Sequence, residues 1–457
     1  MGNKIGFALL SLGLFFYLWS ETELDVWQSL SIGLMLYFLL EFIDNLGNKI
    51  VIMDLAILLG ILTCLIMPIF FYHMFSKDNH LARLWNKYMP IPSNTYYSYA
   101  LPAIMMMALG LRFPFKKLRV NPNPKIYLDN VKVYLKNKPN LGLILIGIGI
   151  LSGLLDFLSP ANLKQVFYFS EHLTYVGVFY VLYAPPTPYK KFIIPGVVVL
   201  MIAQSLITGM FGEFVYMMAC SLTLILLGSK VSFKAKITYA VFGLFLIVIL
   251  QSVKMDYRNR TWTQGGSEAD PAYFAYLVMD RVSNYDNLVS NDNLFFTLTR
   301  MNQGWLVAFT MKRVPKAHPF AYGETIVTSI EAAILPRFIW EDKPNAGGKH
   351  NLLRFWGFVI YGVSMNIGPL GEAYGNFDVT GGIIYMFFYG LFFNYMFARI
   401  LKYSEKRPTI VLWLPFLFFY SVQMETDILS TMGALVKGLI FMWFVFQFFR
   451  IAVKIDL

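Results

Sequence analysis

The stretch "AILPRFIWEDKPNAGGKH" (333–350) gathers Arg337, Glu341, Asp342, Lys343, Lys349 and His350 in a chain that is 57% hydrophobic. Arg337 follows Pro336 and precedes the aromatics Phe338 and Trp340, while Pro344 and the Gly347–Gly348 pair shape the turn behind it. Further arginines stand at 258, 260, 281 and 300. Arginine presents a planar fork of donors that grips phosphate or carboxylate oxygens bidentately, which lysine cannot reproduce. Arginines at headgroup level are what a pyrophosphate-bearing lipid requires; ordinary headgroup contact and salt bridges are the alternative for Arg258 and Arg260. Candidate proton acceptors are Glu372 in "GPLGEAYGNFD", Glu331 in "TSIEAAILPR" and His350. Flanking glycines would let backbone approach a ligand near Glu372, and histidine titrates near neutrality. Glu425 and Asp427 ("QMETDI") and Lys437 lie in apolar runs, where ionisable groups are functional candidates by default. A Lys437 pair with Asp427 or Glu425 closing the bundle is the structural alternative.

These residues need elements to hold them, and the composition says which. Charged residues make up 14% of the 457-residue chain, against about a quarter in soluble proteins. Apolar runs long enough to cross a bilayer recur at 4–20, 26–43, 51–72, 95–112, 140–158, 165–183, 193–209, 212–229, 236–253, 380–399, 409–427 and 431–450. They are continuous rather than alternating, which predicts helices and excludes a barrel. The expectation is an all-α polytopic membrane protein with twelve spans. The first run, lacking a small-residue cleavage site, reads as an uncleaved span. Mid-span charges reduce, on this reading, to Asp156 and Lys437. Cys64 and Cys220 are the only cysteines, and the five histidines are scattered, so neither a disulfide framework nor a metal site is expected.

Placing the N-terminus inside puts 21 of the 38 basic residues in cytoplasmic segments and four in short outer loops. The positive-inside rule therefore predicts cytoplasmic termini. Twelve basic and twelve acidic residues then share one long outer segment, 254–379. The net charge of +11 follows from this topology and calls for no nucleic acid. The basic, aromatic-rich 112–140 stretch fits anchoring on anionic headgroups. Three regions result: a bundle of nine spans (1–253), an outer cap (254–379) and three last spans (380–457). Loops as long as the cap are usually functional or disordered, and its frequent aromatics and leucines argue against disorder. Helices are expected in it at 272–290, 293–312 and 323–334, with an interfacial element at 350–362.

Arg300 and Asn302, Pro315, "YGET" (322–325), "ILPRFIWEDKP" (334–344) and "GEAYGNF" (371–377) occur in that order. The set resembles the Wzy-type O-antigen and oligosaccharide repeat-unit polymerases of bacterial envelopes, over roughly residues 300–385 in motif and elsewhere in topology. The resemblance implies a GT-C-like glycosyltransferase of the bacterial plasma membrane, acting at its outer face without a metal or other cofactor. Two undecaprenyl (polyprenyl) pyrophosphate oligosaccharides would be donor and acceptor, with membrane lipids and a chain-length regulator as further partners. Arg337 would act in catalysis, with Glu372, or else Glu331 or His350, taking the proton. Arg300, Arg258, Arg260, Arg281, Lys343, Trp340, Tyr374 and Asn376 would bind substrate. A flippase for the same lipid-linked glycans, or a ligase moving the finished glycan, are the alternatives.

Overall fold

In hydrocarbon a backbone satisfies its N–H and C=O groups only within helices or closed barrels. The computed structural model follows that rule. It describes residues 2–118, 120, 123–160, 163–209, 211–229, 231–260, 270–284, 286, 290–337, 339–360 and 365–457. Its principal helices are α1 (Gly2–Glu21), α2 (Val26–Asn45), α3 (Ile52–His73), α4 (Ser93–Leu111), α5 (Lys125–Leu135), α6 (Leu141–Leu155), α7 (Lys164–Glu171), α8 (Leu173–Tyr183) and α9 (Lys190–Thr208). They continue with α10 (Phe211–Ile225), α11 (Phe233–Arg258), α12 (Pro271–Ser283), α13 (Asn291–Met301), α14 (Gly304–Arg313), α15 (Glu324–Ile334), α16 (Lys349–Trp356), α17 (Gly368–Ser404) and α18 (Ile428–Phe448). No strand occurs among the described residues. Phe338, one of the two aromatics that follow Arg337 in the sequence, lies outside them.

Among the described residues, eight helices (α1, α2, α3, α4, α9, α11, α17 and α18) are long and apolar enough to cross a membrane. The protein is an α-helical polytopic membrane protein. Four of the twelve expected spans take another form. α6 and α10 have 15 residues each. The run 165–183 is interrupted at His172, which separates α7 from α8. The run 409–427 is helical only over Pro408–Phe418 and then unwinds as far as Asp427.

That unwound stretch is mostly buried, and non-helical backbone at membrane depth persists only where protein or a polar cavity surrounds it. Its own side chains supply partners. Ser421 Oγ donates to Phe418 O (2.7 Å), Gln423 Nε2 to Phe419 O (3.1 Å) and Thr426 Oγ1 to Gln423 O (2.9 Å). Hydropathy cannot distinguish such a buried coil from a helix, hence the difference from expectation.

The frame around it is rigid. α4 and α17 pack through Gly110 and Gly390, where an added Cβ would stand 2.2 Å from Phe387 O and 2.3 Å from Met107 O respectively. Small residues let membrane helices approach this closely. Tyr99 adds a bond to Leu370 O at 2.7 Å. α17 bends at Asp378, whose φ of 61° and ψ of −167° interrupt the helix. Asp427 caps α18 by accepting from Ser430 N at 2.7 Å.

Within 254–379 the expected helix 293–312 is two, α13 and α14, divided at Asn302–Gln303. Asn302 Oδ1 accepts from Trp305 N (3.1 Å) to start α14, and Gln303 N donates to Thr63 O (3.1 Å) to tie it to α3. α15 packs along α18, burying Ile326, Ser329 and Ala333 and leaving Val327, Ile330 and Ile334 exposed. Part of 254–379 thus packs directly against a long helix of the bundle. Lys437, ten residues beyond the Asp427 cap and so about 15 Å along α18, has Lys343 and Arg337 as its charged neighbours. The Lys437 pair with Asp427 or Glu425 considered from sequence is not formed.

Candidate functional site

The incomplete spans meet at a polar seam. Glu425, on the unwound stretch, is hydrogen-bonded to Tyr216 of α10 and lies within charge range of Lys254 and Arg300. Arg258, in the last turn of α11, is within charge range of Arg300, and so is Lys254 one turn earlier. Lys254 and Arg300 therefore converge from α11 and α13 on one carboxylate, and Arg258 stands beside both cations. Lys254 is buried and Arg258 partly so, with its Nε donating to Gly209 O at 2.7 Å. Arg300 keeps much of its exposure, yet the loss of surrounding water lowers its pKa, with Glu425 acting in the opposite sense. Clustered positive charge is chemically suited to an anion, and arginine forks suit phosphate.

The seam continues along α10. Glu213, one turn before Tyr216, accepts at Oε1 from Tyr168 Oη (2.7 Å) and faces His172 Nε2 (2.9 Å). His172 Nδ1 donates to Tyr168 O at 2.8 Å, and Tyr168 Oη lies 3.1 Å from Tyr420 Oη on the unwound stretch. α7, α8 and α10 thus position a histidine–carboxylate pair whose histidine is buried, and Tyr420 and Glu425 link these helices to the unwound stretch. Sequence reasoning missed Lys254, Tyr216, Glu213, His172, Tyr168 and Tyr420. The signal was available for two of them. Glu213 and His172 are ionisable groups inside predicted spans, as much candidates by that rule as Lys437, and the expectation that mid-span charges reduce to Asp156 and Lys437 overlooked both. Tyr420 reaches Tyr168, and Glu425 reaches Tyr216, from the part of 409–427 that is unwound.

The other anticipated residues fall into separate groups. Arg281 is buried between Asp256 (2.7 Å) and Asp280 (2.5 Å), which docks α12 on α11. Arg260 pairs with Asp270 at 2.8 Å over the Tyr273 ring. Both have their charge answered by carboxylates. Arg337 is exposed and donates to Asn345. Lys343 Nζ caps α15 through Ala332 O (2.9 Å) and Leu335 O (2.8 Å), and burial followed by the Arg337 charge lowers its pKa. Trp340 is half-buried, and Glu331 and His350 are exposed.

Glu372 is fully buried. Its Oε1 accepts from Ile428 N at 2.8 Å, with Asp427 and Asn351 beside the carboxyl. Asn376 Nδ2 donates to Thr325 Oγ1 (2.7 Å) and Glu372 O (2.8 Å), and its Oδ1 accepts from Gly323 N (2.9 Å). Tyr374 Oη donates to Val314 O at 3.3 Å. Gly348, at φ +80°, donates its N–H to Asp427 Oδ2 (3.1 Å), and a Cβ there would stand 2.0 Å from Asn366 Oδ1. These bonds clamp the starts of α15, α17 and α18 together. Of the anticipated residues, then, the fold brings Arg258 and Arg300 together at the seam, gathers Arg337 and Lys343 beside Lys437, and puts Glu372, Tyr374 and Asn376 into the clamp. Among the described residues, no three His, Cys, Asp or Glu side chains gather so as to hold a metal ion.

No curated protein and no solved structure matches the chain. Residues 126–403, which include nearly all of α5, all of α6 to α16, nearly all of α17 and every seam residue except Tyr420 and Glu425, match a family described as a domain of unknown function, DUF8712. The match covers more than half of the chain, and the protein belongs to the DUF8712 family.

Proposed function

We propose that the protein is a glycosyltransferase that polymerises polyprenyl-pyrophosphate-linked oligosaccharide repeat units at the outer face of a bacterial plasma membrane. The observation that carries this reading is the convergence of Lys254 and Arg300 on Glu425, with Arg258 beside those two cations. Transfer of a glycosyl group from a lipid pyrophosphate needs the leaving group's negative charge held in place as it develops. Fixed cations in a water-poor site do this most effectively, and such charge stabilisation is usually the largest part of catalysis. The ordered motifs over 300–385 that resemble Wzy-type polymerases support the same reading. In it, the donor's pyrophosphate lies against Arg258, Arg300 and Lys254, and a hydroxyl of the incoming repeat unit attacks the anomeric carbon. Arg337, with Lys343 and Lys437, offers a second cationic position where a lipid headgroup can be met.

A transporter of the same lipid-linked glycans is the second reading. The unwound stretch 419–427 favours it, because broken spans with charged groups at their breaks are a transporter device. Surface polysaccharide length, measured in cells lacking the gene and restored with wild type or Arg300→Ala at equal membrane level, tests both. Polymerisation predicts single repeat units on the outer surface in the deleted and Arg300→Ala cells. Transport predicts lipid-linked repeat units held on the cytoplasmic side. Long chains on lipid that never reach their final acceptor would make the protein a ligase, and unchanged polysaccharide would end all three readings.

A further inference from the structure

The His172–Glu213 pair carries more than packing. His172 Nδ1 faces a backbone carbonyl, Tyr168 O, at 2.8 Å. A carbonyl oxygen only accepts, so Nδ1 carries a proton. Nε2 then faces Glu213 Oε1 at 2.9 Å, and a hydrogen bond there needs one further proton, on the ring or on the carboxyl. The pair therefore stores a proton, as imidazolium with carboxylate or as imidazole with carboxylic acid. Both described bonds to Glu213, from His172 and from Tyr168, fall on Oε1. The side chain nevertheless keeps 36% of its exposure while that of His172 keeps 5%. Oε2 is thus the open side of a carboxylate fixed from behind. Glu213 lies one turn before Tyr216 on α10, and Tyr216 is the partner of Glu425, so the carboxylate is carried by the helix that reaches the cations' acid.

From this geometry we infer that Glu213, held and charge-balanced by His172, takes the proton of the attacking hydroxyl. The inference rests on the glycosyltransferase reading and names the base that reading lacks. In the step, the hydroxyl oxygen of the acceptor sugar forms a bond to the donor's anomeric carbon. The bond from that carbon to the pyrophosphate oxygen breaks, its electron pair staying on the pyrophosphate beside Arg258, Arg300 and Lys254. The hydroxyl proton passes to Glu213 Oε2, and His172 on Oε1 steadies the carboxyl in either state. Glu372 is spent elsewhere, on the Ile428 N–H at 2.8 Å.

The test uses membranes of the host carrying the full chain with their own lipid-linked repeat units, and reads chain extension against pH. Glu213→Gln keeps shape and an acceptor oxygen for His172 and Tyr168 but cannot take a proton; at wild-type membrane level it is expected to slow extension by about 10²-fold or more. His172→Gln keeps a donor toward Oε1 but cannot become a cation. It is expected to retain measurable extension and to move the acid limb of the pH profile to higher pH, because the carboxylate loses its positive neighbour. The other titratable groups facing the pair are Tyr168, Tyr175, Tyr420 and Glu171, the last bonded by Gln204 at 2.7 Å. Glu171→Gln is therefore the control and is expected to leave the acid limb in place.

Extension by Glu213→Gln within about threefold of wild type, or a His172→Gln profile that keeps its acid limb, would overturn the inference. Should Glu213→Gln fail to accumulate, the His172→Gln profile decides alone. Loss of extension in Arg300→Ala together with full activity in Glu213→Gln would sink only this assignment of the base. Polysaccharide unaffected by deletion of the gene would sink the glycosyltransferase reading itself.

Discussion

Two regions of this protein concentrate charge, and they do so in opposite ways. In the 335–350 loop the charges are adjacent along the chain, and the fold keeps only Arg337 and Lys343 together, beside Lys437. Lys343 turns back to cap α15, Arg337 reaches Asn345, and His350 is exposed. At the seam the charges are scattered over residues 168 to 425, and the fold gathers them. Local density of ionisable residues reflects where a chain can afford solvent. Convergence of distant ones inside an apolar bundle opposes desolvation and persists because the charges are answered by one another or by a ligand. The seam is the stronger candidate for chemistry on that ground.

The comparison can be broken by mutation. Its largest expected effect is at Arg300: Arg300→Ala should reduce chain extension by about 10²-fold, measured on membranes with equal protein level, and Arg300→Lys should recover little because the fork is lost. Next comes the clamp. Glu372→Ala leaves the Ile428 N–H without its acceptor and should destabilise the protein by about 2–3 kcal/mol, seen as a lower melting temperature in detergent. Glu372→Gln keeps an acceptor oxygen and should accumulate and work normally; inactivity at normal level would move the chemistry from the seam to the clamp. Arg337→Ala removes one exposed contact and should cost at most about fivefold in extension. An Arg337→Ala defect as deep as that of Arg300→Ala would reverse the ranking of the two regions. The smallest effect belongs to Asp378, whose backbone lies where glycine is favoured. Asp378→Gly should stabilise by about 1 kcal/mol, read as a slightly higher melting temperature, with activity unchanged.

How much was legible follows from what each signal measures. Hydropathy reports the cost of leaving a residue in water, so it located the long helices to within a few residues, except that α17 begins at Gly368, twelve residues before the expected 380–399. It says nothing about whether an apolar segment is helical once protein surrounds it. The unwinding of 419–427 was invisible for that reason, since "FYSVQ" can be buried in either form. Cap helices were legible where amphipathic, as in α15, and not where one polar pair, Asn302–Gln303, divides α13 from α14. Arg258 and Arg300 were legible as arginines suited to phosphate. Their meeting with Lys254 and Glu425 was not, because 171 residues separate Lys254 from Glu425 (425 − 254) and no periodicity links them.

The sequence by itself determined that this is a helical membrane protein with its polar investment concentrated in 254–379, because transfer energies add along a chain without reference to its path. Only the tertiary structure decided that Glu372 is a clamp and that Glu213, His172, Lys254, Arg300 and Glu425 share one seam. Those roles depend on which helix ends meet and on where one span stops being a helix. Both are set by packing between segments far apart in the chain.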